Sequence, residues 1–277
     1  SLMDKFALEG HYGNQDQYLK TLSEGTKGYV LFDTLDEDHL KTIGQLLISS
    51  HQSEGTLLVG SSGVEFALAL HLQHEQTIKK VSEIETPGGA GNMVVAAGSA
   101  APGTAEQIRH MQSLGHPTIR INTLKLTSDL DRGEEIETMV NTVLQALENQ
   151  QVPVLYSALG PDDPAIADTH RHLANRGLNQ KETGKMIAEA QGYVLKEVID
   201  RCGQLRVVVA GGDTSGYVSR VLGIYALETL CPIAPGAPLC VAHSKDPKFD
   251  GLEIALKGGQ NGNHKYFESI LTGKSLN

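Results

Sequence analysis

The chain has 277 residues, with 33 acidic against 23 basic side chains and a formal charge of −10. This balance argues against a nucleic-acid partner, because neutralising phosphates requires a basic face. No stretch approaches the ~18 consecutive apolar residues of a transmembrane helix, and the first residues have neither the basic nor the apolar segment of a signal peptide. We therefore expect a cytoplasmic protein with no membrane partner.

The first third of the chain alternates apolar runs with helical patterns. The run at 28–33 predicts a strand, and the run at 56–60 predicts a second one. A helix should follow each strand, because apolar residues then recur at helical spacing; in the first helix these are Leu40, Ile43, Leu46 and Leu47. Strands that alternate with helices favour a parallel α/β sheet.

A turn-rich segment then interrupts the pattern. Pro87, Gly89 and Gly91 lie within a few residues of one another, which is typical of a linker. We place a domain boundary there, between a domain of residues 1–90 and a domain of residues 91–277.

The second domain contains four apolar runs separated by helical patterns, at 93–99, 118–122, 153–158 and 206–212. Thr104 and Gln107 should form a capping box at the start of its first helix. The tail from Cys231 onward predicts short antiparallel strands and a closing helix at 264–272. The sequence thus predicts an α/β fold, with a mostly parallel sheet flanked by helices and a partial second α/β domain at the N-terminus.

Three apolar strands of this domain run directly into clusters of glycines and small polar residues: Gly98, Ser99 and Thr104; Gly211, Gly212, Asp213, Thr214, Ser215 and Gly216; and Lys257, Gly258, Gly259 and Gly262. Such turns let backbone N–H groups approach an anion, and a following helix adds positive charge, so they favour phosphate binding. Taken singly, each cluster is more often a tight turn with capping hydroxyls. Three such clusters in one domain contain more glycines than helix caps alone require.

The clusters match no standard phosphate or nucleophile motif. Neither GxxxxGK[ST] nor GxGxxG after a strand occurs, which argues against a Walker A NTPase and a dinucleotide oxidoreductase. In GGDTSG, Ser215 comes one residue late for a nucleophile elbow. His71 and His74, like His170 and His172, lie on predicted helices with no third ligand nearby, so we interpret them as solvated rather than metal-binding.

The second domain also resembles the C-terminal nucleotide-binding domain of the four-carbon acid sugar kinases. The resemblance rests on VVVAGGDTSGYVSRVLGIYALE, IAPGAPLC, DGLEIALKGGQNG and YFESILTG, preceded by VVAAGSAAPGTAEQI. It covers residues 93–273 nearly continuously. More weakly, YVLFDTLDEDHL and LLVGSSGVEFALAL resemble the last part of the family's N-terminal, substrate-binding domain.

The resemblance implies ATP-dependent phosphorylation of the terminal hydroxyl of a tetronate or oxo-tetronate, with ATP and Mg²⁺ as cofactors and a small sugar acid as partner. It implies nucleotide contacts at Ser99, Gly211, Gly212, Asp213, Thr214, Ser215, Gly216, Gly258 and Gly259. Asp213 would be the catalytic carboxylate that holds Mg²⁺, or it would only cap the following helix. Lys257 either neutralises phosphate or is an exposed lysine at a strand end.

The chain departs from the family's pattern at its start. The acidic DD-x-TGA motif that opens the substrate domain of family members does not occur. We therefore expect that the part of the family's chain carrying it is missing ahead of Met3. Two alternatives to a truncated kinase stay open, a nucleotide-binding module and an interaction protein, neither with catalysis of its own. Residues 3–90 should also expose part of an apolar sheet, which favours a homodimer.

Overall fold

The computed structural model of the protein describes residues 2–11, 13–24, 30–49, 57–79, 87–128, 130–203 and 205–274. The chain divides into two compact units, Ser1–Glu83 and Ile84–Asn277. The predicted boundary between residues 90 and 91 falls a few residues beyond this division, and the binding roles assigned to the two parts stay predictions. Within the described ranges, no helix combines the length and the apolar character needed to cross a membrane.

The first unit consists mainly of helices beside a small parallel sheet of β1 and β2. A Cβ atom on Gly44 would lie 2.0 Å from the carbonyl oxygen of Ala67, so the third and fourth helices pack backbone against backbone. Residues 28 and 29 of the first predicted strand lie outside the described residues. The elements are β1 Leu2–Met3, α1 Lys5–Leu8, α2 Gln15–Glu24, β2 Leu31–Phe32, α3 Glu37–Ser49 and α4 Gly63–His74.

The strand predicted at 56–60 is wrong where the structure describes it. Residues 57–60 have no regular secondary structure, and residue 56 lies outside the described residues. Leu57 and Val59 are 89% and 88% exposed. No described strand pairs with this run, so the side chains of Leu57 and Val59 face solvent. These exposed side chains are compatible with self-association, but the homodimer stays a prediction.

The second unit forms a seven-stranded sheet in the order β4-β5-β3-β6-β9-β8-β7. β4, β5, β3, β6 and β9 run parallel to one another, whereas β8 is antiparallel to both of its neighbours. The predicted α/β fold with a mostly parallel sheet is therefore confirmed. The elements are β3 Met93–Ala97, α5 Pro102–Ser113, β4 Thr118–Arg120, α6 Thr123–Leu126, α7 Arg132–Glu148, β5 Val154–Tyr156, α8 Pro164–Ala174, α9 Gln180–Cys202, β6 Arg206–Ala210, α10 Gly212–Val221, β7 Ile224–Ala234, β8 Ala237–Ser244, β9 Glu253–Lys257 and α11 Tyr266–Thr272.

Helices cover both faces of the central strands. Every residue of β3 and β6 is buried, as expected for strands that read as continuous apolar runs. One face packs against α7 and α9 through residues such as Val143 and Val194, and the other packs against α5 and α11 through Ile108 and Phe267. The two apolar clusters hold the ends of the central strands at fixed positions.

The C-terminal tail differs from the sequence prediction in one respect that matters for the site. β7 and β8 form the expected antiparallel pair, although β7 already begins at Ile224. β9 pairs antiparallel with β8 but parallel with β6. Because β9 continues the parallel part of the sheet, its C-terminal end lies at the same edge as the ends of β3 and β6.

Candidate functional site

The three glycine clusters meet at the C-terminal edge of the sheet. The last residues of their strands, Ala97, Ala210 and Lys257, lie in register. The pairing continues into the turns, because the N–H of Gly98 donates to the oxygen of Ala210 at 2.9 Å and the N–H of Gly211 donates to the oxygen of Lys257 at 2.8 Å. We name them the β3 turn (98–101), the β6 turn (211–214) and the β9 turn (258–262), and we call the position just outside the sheet edge where they meet the three-turn crevice.

The β3 and β6 turns approach each other so closely that only glycine fits. A Cβ atom on Gly98 would lie 2.1 Å from Oγ1 of Thr214, and a Cβ atom on Gly211 would lie 2.9 Å from the same oxygen. Gly211 has a φ of +127°, a conformation that L side chains rarely adopt. Gly98 and Gly211 therefore leave room for the side chain of Thr214 where the two turns meet.

The β9 turn closes the other side of the crevice against Ser99. A Cβ atom on Gly259 would lie 2.5 Å from Oγ of Ser99 and 2.6 Å from Cβ of Ala101. A Cβ atom on Gly258 would lie 2.6 Å from Oδ1 of Asn261, within its own turn. Oγ of Ser99 accepts a hydrogen bond from the N–H of Ala101 at 3.1 Å, which leaves its O–H available to donate. The structure thus brings Ser99, Thr214 and Gly259 to one crevice.

The capping box predicted for Thr104 and Gln107 is wrong. The N-cap of α5 is Ala101, followed by a proline, and both predicted side chains are fully buried. Oγ1 of Thr104 donates to the oxygen of Gly259 at 3.1 Å, and Nε2 of Gln107 donates to backbone oxygens of residues 261–263. These side chains hold the β9 turn against α5 because the start of α5 faces that turn rather than solvent.

α10 begins directly in the β6 turn and presents its N-terminus at the crevice. Its N-cap is Gly211, and no described side chain caps it. No described atom lies within 4 Å of where a Cβ on Gly212 would stand, so the first turn of the helix is open to a ligand. Backbone N–H groups and the helix dipole make such a position favourable for an anion.

Two residues of the predicted set are placed differently. Oγ of Ser215 is buried and donates to the oxygen of Gly211 at 2.8 Å, so its hydroxyl is used within the helix. Gly216 lies one residue further along α10, and a Cβ atom there would meet no described atom within 4 Å. Neither residue is brought against the β3 or β9 turn as Thr214 and Gly259 are.

Lys257 is buried beneath the β9 turn, so the alternative of an exposed lysine is wrong. Its side chain donates from Nζ to Oγ1 of Thr104 at 3.0 Å and to the oxygen of Gly259 at 3.3 Å. Burial lowers the pKa of the ammonium to about 8, and no carboxylate among the described residues raises it. The crevice therefore has a positive charge beneath it that an anionic ligand would complement.

Asp213 is exposed in the first turn of α10. The alternative that it only caps this helix is wrong, because the N-cap position belongs to Gly211. Its carboxylate is thus exposed at the start of α10, next to the β6 turn. In the described part of the chain, no cluster of three or more His, Cys, Asp or Glu side chains could hold a metal by itself.

Gln191 of α9 is a candidate that the sequence patterns did not indicate. Its side chain is fully buried, and neither amide atom has a hydrogen-bond partner among the described residues. A Cβ atom on Gly98 would lie 3.0 Å from Oε1 of Gln191, which places the amide directly behind the β3 turn. A buried amide without partners costs roughly 1–3 kcal/mol. The signal in the sequence is a glutamine on a helical face that is otherwise apolar.

A match to a family model establishes the family. A family model described as a nucleotide-binding C-terminal domain matches residues 94–267, which contain all three turns. The chain is also 35% identical over 245 residues to a Paraburkholderia graminis protein named 3-oxo-isoapionate kinase. The chain belongs to the four-carbon acid sugar kinase family. Another similar protein is a 3-oxo-tetronate kinase from Pseudomonas savastanoi pv. phaseolicola, 27% identical over 263 residues.

The chain spans about half the length of these curated relatives. The alignments cover 88% and 95% of this chain but 52% and 56% of the relatives. A crystal structure of a Haemophilus influenzae protein of the DUF1537 family is similar over 97% of this chain and 59% of that protein, with a TM-score of 0.62 and 20% sequence identity. This likeness shows that the two proteins share the fold.

Proposed function

We propose that this member of the four-carbon acid sugar kinase family binds ATP with Mg²⁺ in the three-turn crevice and takes part in ATP-dependent phosphorylation of a four-carbon sugar acid. The acceptor would be the terminal hydroxyl of a tetronate or oxo-tetronate. The observation that carries the proposal is the convergence of the three glycine turns over the buried ammonium of Lys257. The kinase names of the two relatives support phosphoryl transfer as the reaction class.

The residues of the crevice fit a polyphosphate. The first turn of α10 offers backbone N–H groups at Gly212 and Asp213, while Ser99 and Thr214 offer hydroxyl donors. Gly258 and Gly259 let the β9 turn pack closely against the side chains of Asn261 and Ser99, which brings its backbone beside the Ser99 hydroxyl. Phosphoryl transfer depends mainly on positioning and charge stabilisation, which are the two things that these groups supply.

Asp213 is the residue that we assign to Mg²⁺ and to catalysis. Mg²⁺ typically binds one or two protein carboxylates together with phosphate oxygens and water, so a single exposed carboxylate beside a phosphate site fits it. When bound, ATP supplies the transferred phosphoryl group and Mg²⁺ neutralises its charge. Asp213 would then orient the metal at the mouth of the crevice, next to the first turn of α10.

A second candidate function is a nucleotide-binding module without catalysis of its own. The observation that favours it is that this chain spans only 52% and 56% of the length of the two relatives that are named kinases. Calorimetry with ATP and Mg²⁺ tests nucleotide binding, which both candidates require. A kinase assay with threonate and oxo-tetronates separates them, because only the kinase transfers phosphate. Failure to bind ATP would contradict both.

We expect Ser99→Ala and Thr214→Ala each to weaken ATP binding by about 10- to 100-fold, because a hydrogen bond to a charged group contributes roughly 1.5–3 kcal/mol. Calorimetry of each variant measures this loss. Ser219→Ala is the matched control, since its hydroxyl donates to the oxygen of Ser215 within α10. If both site variants bind ATP like the parent protein and only melt at lower temperature, the hydroxyls serve the turns and the assignment is wrong.

We expect ATP affinity to fall as the pH rises through about 8, where Lys257 loses its proton. Lys257→Met should bind ATP about tenfold more weakly at neutral pH, as expected for a partly screened charge interaction of ~1.4 kcal/mol, and should lack this pH dependence. Calorimetry on either side of that pH measures both effects. If ATP affinity declines equally with rising pH in the parent and in Lys257→Met, then Lys257 is not the group that causes the decline.

Lys257 should also make the free energy of unfolding of the unliganded protein depend on pH. The direction is opposite to that of the ATP affinity. Because burial lowers its pKa from 10.5 to about 8, the folded chain binds fewer protons than the unfolded chain between these values. The free energy of unfolding should therefore rise with pH across that window. Denaturant titrations of the parent protein and of Lys257→Met check this contribution.

A further inference from the structure

The amide of Gln191 is a buried polar group that the contacts of the unliganded fold do not use. Gln191 lies on α9 among apolar neighbours, because Ala188, Val194 and Leu195 share its side of the helix and are buried. Neither Oε1 nor Nε2 of Gln191 has a hydrogen-bond partner among the described residues. An apolar side chain of similar size would avoid the desolvation of these two atoms, so the amide destabilises the unliganded fold.

This amide lies where the β3 turn and the β6 turn meet. A Cβ atom on Gly98 would lie 3.0 Å from Oε1 of Gln191 and 2.1 Å from Oγ1 of Thr214. The amide and the hydroxyl therefore face the same small volume beside the backbone of Gly98, the first from α9 and the second from the start of α10. The two helices also pack closely, since a Cβ atom on Gly192 would lie 2.9 Å from Cβ of Val221.

An amide and a hydroxyl can bond in a way that fixes the direction of the hydroxyl proton. The nitrogen of a glutamine amide is a donor, so a hydroxyl oxygen that accepts from it directs its own O–H elsewhere. The two amide atoms exchange places by rotation about the last side-chain torsion, which has a broad and roughly two-fold preference. Nε2 of Gln191 can therefore face Oγ1 of Thr214 without any movement of α9.

We propose that Gln191 is a positioning residue for Thr214. When phosphate binds in the three-turn crevice, Nε2 of Gln191 donates to Oγ1 of Thr214 and holds the O–H of Thr214 toward a phosphate oxygen. The inference rests on the proposed ATP site and adds the group that orients one of its hydroxyls. Gln191 itself does not touch the ligand, because its amide atoms are inaccessible. The group that destabilises the unliganded fold is thus the one that the liganded fold uses.

Gln191→Met separates this role from a structural one, because its two expected effects have opposite signs. Methionine is similar in size and lacks the amide, so the variant should melt about 2–4 °C above the parent protein. It should bind ATP with Mg²⁺ about 3- to 10-fold more weakly, the factor that corresponds to one neutral hydrogen bond. Gln145→Met is the matched control, because Gln145 is an exposed glutamine on α7 and its replacement should change neither quantity.

A double-mutant cycle with Thr214→Val tests whether the amide acts through the hydroxyl. Calorimetry with ATP and Mg²⁺ and thermal melting are measured for the parent protein, the two single variants and the double variant. The proposal expects Gln191→Met to cause no further loss of ATP affinity once Thr214 is replaced.

Three results would overturn the proposal: parental ATP affinity in Gln191→Met, additive losses of affinity in the double variant, or a fall of melting temperature together with affinity in Gln191→Met. The last of these would mean that the side chain serves only the packing of α9. A parent protein that does not bind ATP would refute the proposed function, and this inference with it.

Discussion

Gly259→Val is expected to weaken ATP binding by more than about 100-fold, since it removes several phosphate contacts worth roughly 1.5–3 kcal/mol each. A Cβ atom at this position would lie 2.5 Å from Oγ of Ser99 and 2.6 Å from Cβ of Ala101. Either the β9 turn or the β3 turn must therefore move. Because Thr104 and Lys257 also bond to the oxygen of Gly259, the displacement would disturb the buried cation as well.

Gly133→Ala is the control for this substitution. Gly133 lies at the start of α7, is exposed, and a Cβ atom there would meet no described atom within 4 Å. Because the methyl group has room, alanine should leave both the fold and ATP binding unchanged. Calorimetry and denaturant titration of both variants measure these effects. Retention of parental affinity in Gly259→Val would mean that the nucleotide does not use the contact between the β3 and β9 turns.

The sheet and the location of the crevice could be predicted from local sequence. β3 and β6 are continuous apolar runs, which favour burial on both faces, and each run ends in glycines. Parallel strands present their C-terminal ends at one edge, so the turns after β3 and β6 should meet there. The tail strand β9 was predicted to be antiparallel, and its parallel pairing with β6 adds the third turn to that edge. The run at 57–60 has the same apolar character but no described strand beside it, and local pattern alone does not show whether a partner strand exists.

The side chains that hold the turns together could not be predicted in this way. Thr104 and Gln107 fit a capping box by spacing, but their partners in the β9 turn lie 155 and 154 residues further along the chain. The sequence left open whether Lys257 neutralises phosphate or is an exposed lysine at a strand end, and the contact with Thr104 of α5 buries it. Gln191 stands out only because its buried amide has no hydrogen-bond partner among the described residues.

The crevice reconciles an acidic protein with an anionic ligand. The chain has a formal charge of −10, which disfavours binding a polyphosphate by a general surface potential. The positive character is instead local, from the N-terminus of α10 and from Lys257 beneath the β9 turn. Groups buried beneath a turn are screened less by salt than surface charges are, so they can act on a bound phosphate despite the net charge.

We expect the 277-residue chain by itself to bind ATP but to phosphorylate threonate or an oxo-tetronate at least about 10⁵-fold more slowly than a full-length relative, because positioning of the acceptor can contribute ~7–11 kcal/mol to barrier reduction. The chain spans 52% and 56% of its curated relatives. We propose the crevice for the nucleotide, and Asp213 is the one exposed carboxylate that we assign to it.

The measurement compares phosphate transfer to threonate by this chain and by a full-length 3-oxo-tetronate kinase, with ATP binding by calorimetry as the control for an intact nucleotide site. Asp213→Asn serves as the negative control, because any turnover that survives it does not depend on the proposed metal position. ATP binding without turnover is the expected result and favours the nucleotide-binding module for this chain alone. Turnover close to that of the full-length enzyme would contradict the prediction, and it would mean that the acceptor is held by residues within these 277 positions.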